Sequence, residues 1–286
     1  MTQLEEIKKV AVVGAGTMGQ GIAQVCAMAG LEVLLFDVNS EMLGKAIQAI
    51  EGNLIKGIER GKVTADEMNK SLSLIQTIDS EKLLVADLII EAIVERLEIK
   101  QQLFTRLESI NSEKTILASN TSSIPITRIA SVLKRPENFV GMHFFNPAHI
   151  MKLVEVIRGA ATSPEVAEVI YQLSLKLGKV PVRAHDAPGF IVNRVARHFY
   201  VEGLKVLEEG VSDVNGIDRL IESSGFKMGP FRLMDLIGVD TNFSVTESMF
   251  NAFHQDSKFR PSRIQQQKVD AGHHGRKSGK GFYQYD

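Results

Sequence analysis

Two residues twelve positions apart, His143 and Glu155, could transfer a proton together. His143 stands near the end of an apolar segment, residues 139–145, and Glu155 lies inside a second one, residues 152–157. A strand that is apolar on both faces is buried, and a buried carboxylate needs a partner to stay ionised. An imidazole can be that partner, because the carboxylate accepts from one ring nitrogen and leaves the other as a general base. These residues alone also leave a purely structural His–Glu pair open.

A glycine-rich segment near the N-terminus predicts a binding site for a dinucleotide. Residues 12–19 read VVGAGTMG, a G-x-G-x-x-G pattern between a predicted strand and a predicted helix. In that context Gly14 permits the tight turn, Gly16 lets backbone approach a pyrophosphate, and Gly19 allows the helix to pack closely on the strand.

The residues around this turn favour NAD over NADP. The helix begins at Thr17 and Met18, and its free N–H groups would face the anion. Asp37 ends the second predicted strand, 21 residues after Gly16. A carboxylate there would accept hydrogen bonds from a ribose diol and repel a 2′-phosphate, and residues 38–40 supply no Arg or Lys.

Strand and helix signals alternate over the first two thirds of the chain, which predicts an α/β domain. Strands are predicted at 9–13, 33–36, 74–77, 87–93, 115–118, 139–145, 152–157 and 179–182. Helices are predicted at 17–29, 40–60, 95–110, 124–133 and 163–177. This alternation is typical of a Rossmann-type, doubly wound, mostly parallel sheet covered by helices.

The pattern changes at the Asp-Ala-Pro-Gly segment that ends at Gly189, and beyond it the chain is predicted to be all helical. Helices are predicted there at 190–209, 213–223, 239–253 and 264–271. We therefore expect a dinucleotide-binding domain at 1–186 and a helical substrate-binding domain at 187–286.

Polar residues follow several predicted strands, and this favours a catalytic role for the histidine. The glycine turn, Asp37, Glu95, residues 119–122 and His143 each lie at or just beyond the end of a predicted strand. Ligands of open α/β sheets bind beyond the carboxyl ends of the strands. Five strand ends therefore direct polar groups toward one edge, where structural pairs have no reason to collect.

Composition excludes several classes of function. The chain carries 33 basic and 34 acidic residues, a net charge of −1, so no global basic field would hold nucleic acid or an anionic membrane. No apolar run approaches the ~18 residues of a membrane span. Cys26 is the only cysteine, which excludes an internal disulfide or a cysteine-based metal site. The segment MTQLEEIKKV has no apolar signal core, so we expect a cytoplasmic protein. We also expect no bound metal.

Six segments, spread in order from residue 10 to the C-terminus, carry a resemblance to a known family. They are VVGAGTMGQGIAQ, EAIVERLEIK, ASNTSS, GMHFFNPAHIMKLVEV, DAPGFIVNRV and GRKSGKGFYQY. The chain resembles the 3-hydroxyacyl-CoA dehydrogenases, and most closely the short bacterial 3-hydroxybutyryl-CoA dehydrogenases.

The resemblance implies roles for four residues in catalysis. His143 resembles the catalytic base of the family, and Glu155 resembles the acid that orients it. Ser122 resembles the serine that contacts the substrate oxygen. Asn193 resembles the asparagine that enters the site from the helical domain, so that domain closure would complete the site.

The resemblance also implies binding residues and an assembly. Glu95, Lys100 and Asn120 match positions that line the cofactor NAD, and Asn146 matches a substrate-side position behind the histidine. The family is typically a homodimer through its helical domain.

Lys56 and Arg60 are candidate contacts for the phosphates of coenzyme A. They stand four residues apart on one predicted helix and therefore share a face. An ordinary solvated helix face explains them equally well.

The leading hypothesis is an NAD-dependent (S)-3-hydroxyacyl-CoA dehydrogenase that interconverts 3-hydroxybutyryl-CoA and acetoacetyl-CoA in butyrate or fatty acid metabolism. His143 would be its general acid and base. One alternative is a sugar-acid dehydrogenase of the gulonate type on the same fold. Another is a non-catalytic dinucleotide-binding protein, which would have no use for His143, Glu155, Ser122 and Asn193 together.

Overall fold

The computed structural model describes residues 3–285 and divides the chain into two compact units. The first unit is Met1–Ala187 and the second is Pro188–Asp286. The division follows Ala187, within the Asp-Ala-Pro-Gly segment where the sequence pattern changes.

An eight-stranded sheet forms the centre of the first unit. Its strands are β1 (Lys9–Val13), β2 (Glu32–Phe36), β3 (Ile75–Ile78), β4 (Leu88–Glu91), β5 (Ile116–Ser119), β6 (Phe139–Phe144), β7 (Leu153–Arg158) and β8 (Val180–His185). Their spatial order is β3-β2-β1-β4-β5-β6-β7-β8. All neighbours are parallel except β6 and β7, which are antiparallel. The predicted mostly parallel Rossmann-type sheet is confirmed.

Helices cover this sheet because its central strands, such as β4, β5 and β6, are buried on both faces. The helices of the first unit are α1 (Thr17–Met28), α2 (Ser40–Glu59), α3 (Ala65–Ser73), α4 (Leu97–Ile110), α5 (Ile126–Ala130) and α6 (Pro164–Lys176). Side chains of α1, α2 and α6 share one buried apolar cluster with Val10 and Val12 of β1. Phe104 of α4 packs edge-on against Phe139 of β6, with ring centroids 4.7 Å apart.

The second unit is helical, as predicted. Its helices are α7 (Val192–Glu208), α8 (Val214–Ser223), α9 (Pro230–Ile237), α10 (Val239–Ala252) and α11 (Arg263–Asp270). A buried apolar cluster centred on Tyr200, Phe231 and Met234 holds this unit together. Asp235 binds the C-terminal segment, since its carboxylate accepts hydrogen bonds from the backbone N–H groups of Phe282 and Tyr283.

The sequence analysis missed two helices, α3 and α9. Helix α3 is mostly polar, and only Met68 and Leu72 pack against the apolar core, so its apolar stripe is too short for the periodicity on which the prediction depended. Its start was nevertheless encoded, because Thr64 and Glu67 form a capping box. Helix α9 has eight residues and begins at Pro230, a favoured first residue of a helix.

No helix within residues 3–285 combines the length and apolar character needed to cross a bilayer.

Candidate active site

The antiparallel pairing of β6 with β7 places His143 directly opposite Glu155. The imidazole Nδ1 lies 2.7 Å from Glu155 Oε2, and both side chains are buried. Phe145 packs against the imidazole, with ring centroids 4.5 Å apart. When Nδ1 carries the proton and donates a hydrogen bond to the carboxylate, Nε2 is unprotonated and can accept a proton from a substrate. The arrangement can therefore perform general acid–base chemistry.

Glu95 positions the loop that contains Ser122. Its Oε1 accepts hydrogen bonds from Thr121 Oγ1 at 2.6 Å, from Ser122 N at 2.9 Å and from Ser123 N at 3.1 Å. Burial would raise the pKa of Glu95, but the charge of Lys100 and the hydrogen bonds from Thr121 and Ser122 outweigh it, so this pKa lies below its ordinary value. Glu95 therefore accepts these hydrogen bonds as an ionised carboxylate.

Glu91, which sequence reasoning missed, is the centre of a buried ionic network behind that loop. Its Oε1 lies 2.5 Å from Lys100 Nζ, and its Oε2 accepts from Ser119 Oγ at 2.6 Å. Lys100 Nζ also lies 3.2 Å from Glu95 Oε2. Burial raises the pKa of Glu91, and the charge of Lys100 opposes that rise. The sequence signal was an acidic residue ending the buried strand Leu88–Glu91.

This network changes the interpretation of Lys100. The resemblance assigned it to the lining of the cofactor site, but its side chain is only 1% exposed and its ammonium group is held by two carboxylates. Since Glu95 in turn binds the backbone of Ser122, the ammonium acts on the Ser122 loop through Glu95.

Asn120 fixes the backbone next to the histidine. Its Oδ1 accepts a hydrogen bond from Phe144 N at 2.8 Å, and its own N–H donates to Glu91 O at 2.8 Å. The ends of β4, β5 and β6 are thereby joined at the edge that holds His143. Asn146 is exposed just beyond β6, and Asn193 is half-buried in the first turn of α7.

The glycine turn has the space that a dinucleotide phosphate needs. Gly14 has φ +102°, and a Cβ added there would lie 2.6 Å from Ala92 O. A Cβ on Gly19 would overlap the carbonyl oxygen of Gly14, whereas nothing lies within 4 Å of a Cβ on Gly16. Gly14 and Gly19 are therefore required by packing, and Gly16 leaves open space at the start of α1. No acidic residue stands in the first turn of α1 to repel an anion.

Asp37 connects the glycine turn to the end of β2. Its Oδ2 accepts from Ala15 N at 2.7 Å and its Oδ1 from Asn39 N at 2.9 Å. Each carboxylate oxygen can accept a further hydrogen bond, so Asp37 remains able to bind a ribose diol. These residues fit NAD, with Gly16 and the N–H groups of Thr17 and Met18 toward the pyrophosphate and Asp37 toward the ribose.

Lys56 is exposed on α2, and Arg60 is exposed directly after the last residue of that helix. Lys56 lies near the segment that follows β6. The pKa of His149 is lowered by burial, by the charge of Lys179 and by the charge of Lys56. Positive charge is therefore concentrated beside the segment after β6, although the whole chain is nearly neutral.

The Glu91–Lys100 pair predicts a particular ranking of stabilities. Lys100→Met leaves a buried carboxylate without its cation, which costs about 3–5 kcal/mol of unfolding free energy. Adding Glu91→Gln removes the orphaned charge, so the double variant should be more stable than the single one. Urea unfolding measures both. Arg106→Met, which breaks the exposed pair with Glu81, is the control and should cost at most about 1 kcal/mol. A double variant less stable than Lys100→Met would contradict the network.

The two glycines of the turn should respond differently to alanine. Gly19→Ala overpacks the turn and should cost about 1–3 kcal/mol or more. Gly16→Ala should change stability by less than about 1 kcal/mol, because its φ of −67° suits alanine and its Cβ meets open space. Gly16→Ala should instead weaken NADH binding, measured by fluorescence titration. Equal NADH affinity in Gly16→Ala and the unaltered protein would contradict the assignment of this turn as the pyrophosphate-binding site.

Two family models match nearly the whole chain. The 3-hydroxyacyl-CoA dehydrogenase NAD binding domain matches residues 9–187, and the 3-hydroxyacyl-CoA dehydrogenase C-terminal domain matches residues 189–285.

Named relatives and a solved structure agree with these models. The chain is 50% identical over 281 residues to the 3-hydroxyadipyl-CoA dehydrogenase of Escherichia coli, covering 98% of this chain and 59% of that protein. It is 43% identical over 285 residues to the probable 3-hydroxybutyryl-CoA dehydrogenase of Bacillus subtilis, covering 98% of each. The crystal structure of the (S)-3-hydroxybutyryl-CoA dehydrogenase of Ralstonia eutropha matches with a TM-score of 0.94 and 39% identity, over 98% of this chain and 99% of that one.

The chain thus spans less than two thirds of the E. coli relative and nearly the full length of the other two. Both units match the same family in the expected order. The chain belongs to the 3-hydroxyacyl-CoA dehydrogenase family, and its first unit is the NAD-binding domain of that family.

Proposed function

We propose that the chain is an NAD-dependent (S)-3-hydroxyacyl-CoA dehydrogenase that interconverts 3-hydroxybutyryl-CoA and acetoacetyl-CoA. The hydrogen bond of His143 to Glu155, beside the edge of the sheet where β1, β2, β4 and β5 also end, carries this proposal. Names of relatives support a CoA thioester over a sugar acid, since each of the three described above is named for one.

His143 moves the proton of the reaction. NAD, when bound by the glycine turn and Asp37, would supply the hydride chemistry at carbon 3 of the substrate. In oxidation Nε2 of His143 takes the hydroxyl proton, and in reduction it gives the proton back. Glu155 holds Nδ1–H and stabilises the imidazolium that forms. General base catalysis of this kind contributes about 10²–10⁴-fold.

Ser122 and Asn193 bind the substrate oxygens in this proposal. A hydroxyl and an amide can donate hydrogen bonds to an oxygen that gains charge as the proton leaves. Glu95 supports the first of these roles, because it holds the backbone of Ser122. Asn146 would contact the substrate beyond the histidine.

Two further proposals follow from the resemblance. We place the protein in the cytoplasm, and we propose that it forms a homodimer through the helical unit, as its family typically does.

Glu155→Gln should lower kcat by about 10²–10⁴-fold with little change in KM, because the amide can donate to Nδ1 and so impose the wrong tautomer on His143. The assay follows NADH oxidation with acetoacetyl-CoA. His143→Ala should lose activity comparably. Glu168→Gln, an exposed carboxylate of α6, is the control and should leave kcat unchanged. Full activity in either His143→Ala or Glu155→Gln would contradict the mechanism.

Lys56 and Arg60 are proposed to bind the phosphates of coenzyme A. Reversing both charges, Lys56→Glu with Arg60→Glu, should raise KM for acetoacetyl-CoA about tenfold, or ~1.4 kcal/mol, with kcat little changed. The increase should shrink in high salt, because salt screens exposed charges. Lys82→Glu with Lys134→Glu is the matched control, since both residues are exposed and precede β4 and β6 at the opposite edge of the sheet. Equal KM values at low salt for the two double variants would contradict the proposal that Lys56 and Arg60 bind coenzyme A.

A further inference from the structure

Arg197 of helix α7 is a buried cation without a counter-charge. Only 2% of the residue is exposed, and no carboxylate oxygen within residues 3–285 lies within 4.0 Å of its guanidinium nitrogens. Burying a charge is costly unless an opposite charge compensates it. Burial lowers the pKa of Arg197 to about 10, so the guanidinium still carries its charge at neutral pH.

The hydrogen bonds of this guanidinium use one of its three nitrogens. Nη1 donates to Asn242 O at 3.0 Å, to Asn242 Oδ1 at 3.2 Å and to Thr246 Oγ1 at 2.9 Å, all on α10. Nε is buried and makes no hydrogen bond. The edge formed by Nε and Nη2 is therefore left for a planar acceptor, and a carboxylate matches such an edge with two parallel hydrogen bonds.

Arg197 stands on the face of α7 that carries Asn193. The two residues are four positions apart, so they are neighbours along the helix, about 6 Å apart along its axis. Asn193 is the residue proposed above to bind a substrate oxygen near carbon 3. In the substrate, a carboxylate at carbon 6 lies three carbon–carbon bonds of about 1.5 Å beyond carbon 3. One helical turn between Asn193 and Arg197, together with the length of a hydrogen bond, spans that separation.

From this juxtaposition we propose that Arg197 binds the terminal carboxylate of the acyl chain, so that the preferred substrates are CoA thioesters of short 3-hydroxy dicarboxylic acids. This inference rests on the proposed 3-hydroxyacyl-CoA dehydrogenase activity and concerns its preferred acyl chain, so that 3-hydroxybutyryl-CoA, which lacks the terminal carboxylate, becomes a substrate but not the preferred one. Asn242 and Thr246 orient the guanidinium from α10 and leave its remaining edge to the ligand. Arg197 is then a specificity residue, and the proton transfer by His143 does not depend on it.

The test compares two six-carbon substrates of matched length, 3-hydroxyadipyl-CoA and 3-hydroxyhexanoyl-CoA, which differ only in the terminal carboxylate. The unaltered protein should oxidise the diacid ester with a kcat/KM about 10- to 100-fold higher, the range expected for a charge-assisted hydrogen bond. Arg197→Met should abolish this preference while retaining activity on the hexanoyl ester. Arg197→Lys should keep part of the preference, because lysine keeps the positive charge but cannot donate two parallel hydrogen bonds to a carboxylate.

Two controls separate the possible failures. If Arg197 has only a structural role, Arg197→Met lowers the activities on both esters equally, and that result overturns the inference. A preference of the unaltered protein for the hexanoyl ester also overturns it. If Arg197→Met does not fold, the substrate ratios of the unaltered protein and of Arg197→Lys decide. Activity with acetoacetyl-CoA but not with the diacid ester refutes this inference alone, whereas inactivity with every CoA ester refutes the proposed function.

Discussion

A hydrogen bond between a buried imidazole and a buried carboxylate is the interaction on which the proposed chemistry depends. It exists because β7 runs antiparallel to β6 and so brings Glu155 directly opposite His143. Neither partner is tolerable alone in an apolar sheet, since an unpaired buried charge is costly. The reversal of one strand within a mostly parallel sheet therefore fixes the orientation of His143, the base of the proposed mechanism.

Buried charges also hold the loop that contains Ser122. Glu91, Lys100 and Glu95 form a continuous ionic network, and its last carboxylate binds the backbone of Ser122. Such networks are weak evidence for stability but hold a fixed geometry when every member is satisfied. The helical unit contains a contrasting case in Arg197, whose charge is compensated by no carboxylate within the described residues, and this contrast is the reason to look for its partner in the substrate.

Local patterns predicted much of this molecule, and pairings between distant segments were harder to predict. The central strands were predicted because they are apolar, the half-buried edge strands β3 and β8 from their shorter runs of apolar residues, and the glycine turn because its spacing is specific. Helix α3 was missed since its apolar face consists only of Met68 and Leu72. Glu91 was missed because its importance comes from Lys100 and Ser119, which only the folded sheet brings to it. Arg197 likewise reads as an ordinary helix residue until the burial of its guanidinium is known.

The orientation of His143 is the most direct test of this account. NMR spectroscopy of protein labelled with ¹⁵N-histidine, with His143→Gln used to assign the signals, reports which ring nitrogen carries the proton in the neutral imidazole. The account predicts a proton on Nδ1, hydrogen-bonded to Glu155, and an unprotonated Nε2 in the neutral imidazole of the unaltered protein, with this preference lost in Glu155→Gln. A proton on Nε2 in the unaltered protein would contradict the account, because the nitrogen proposed to act as the base would then be unable to accept a proton.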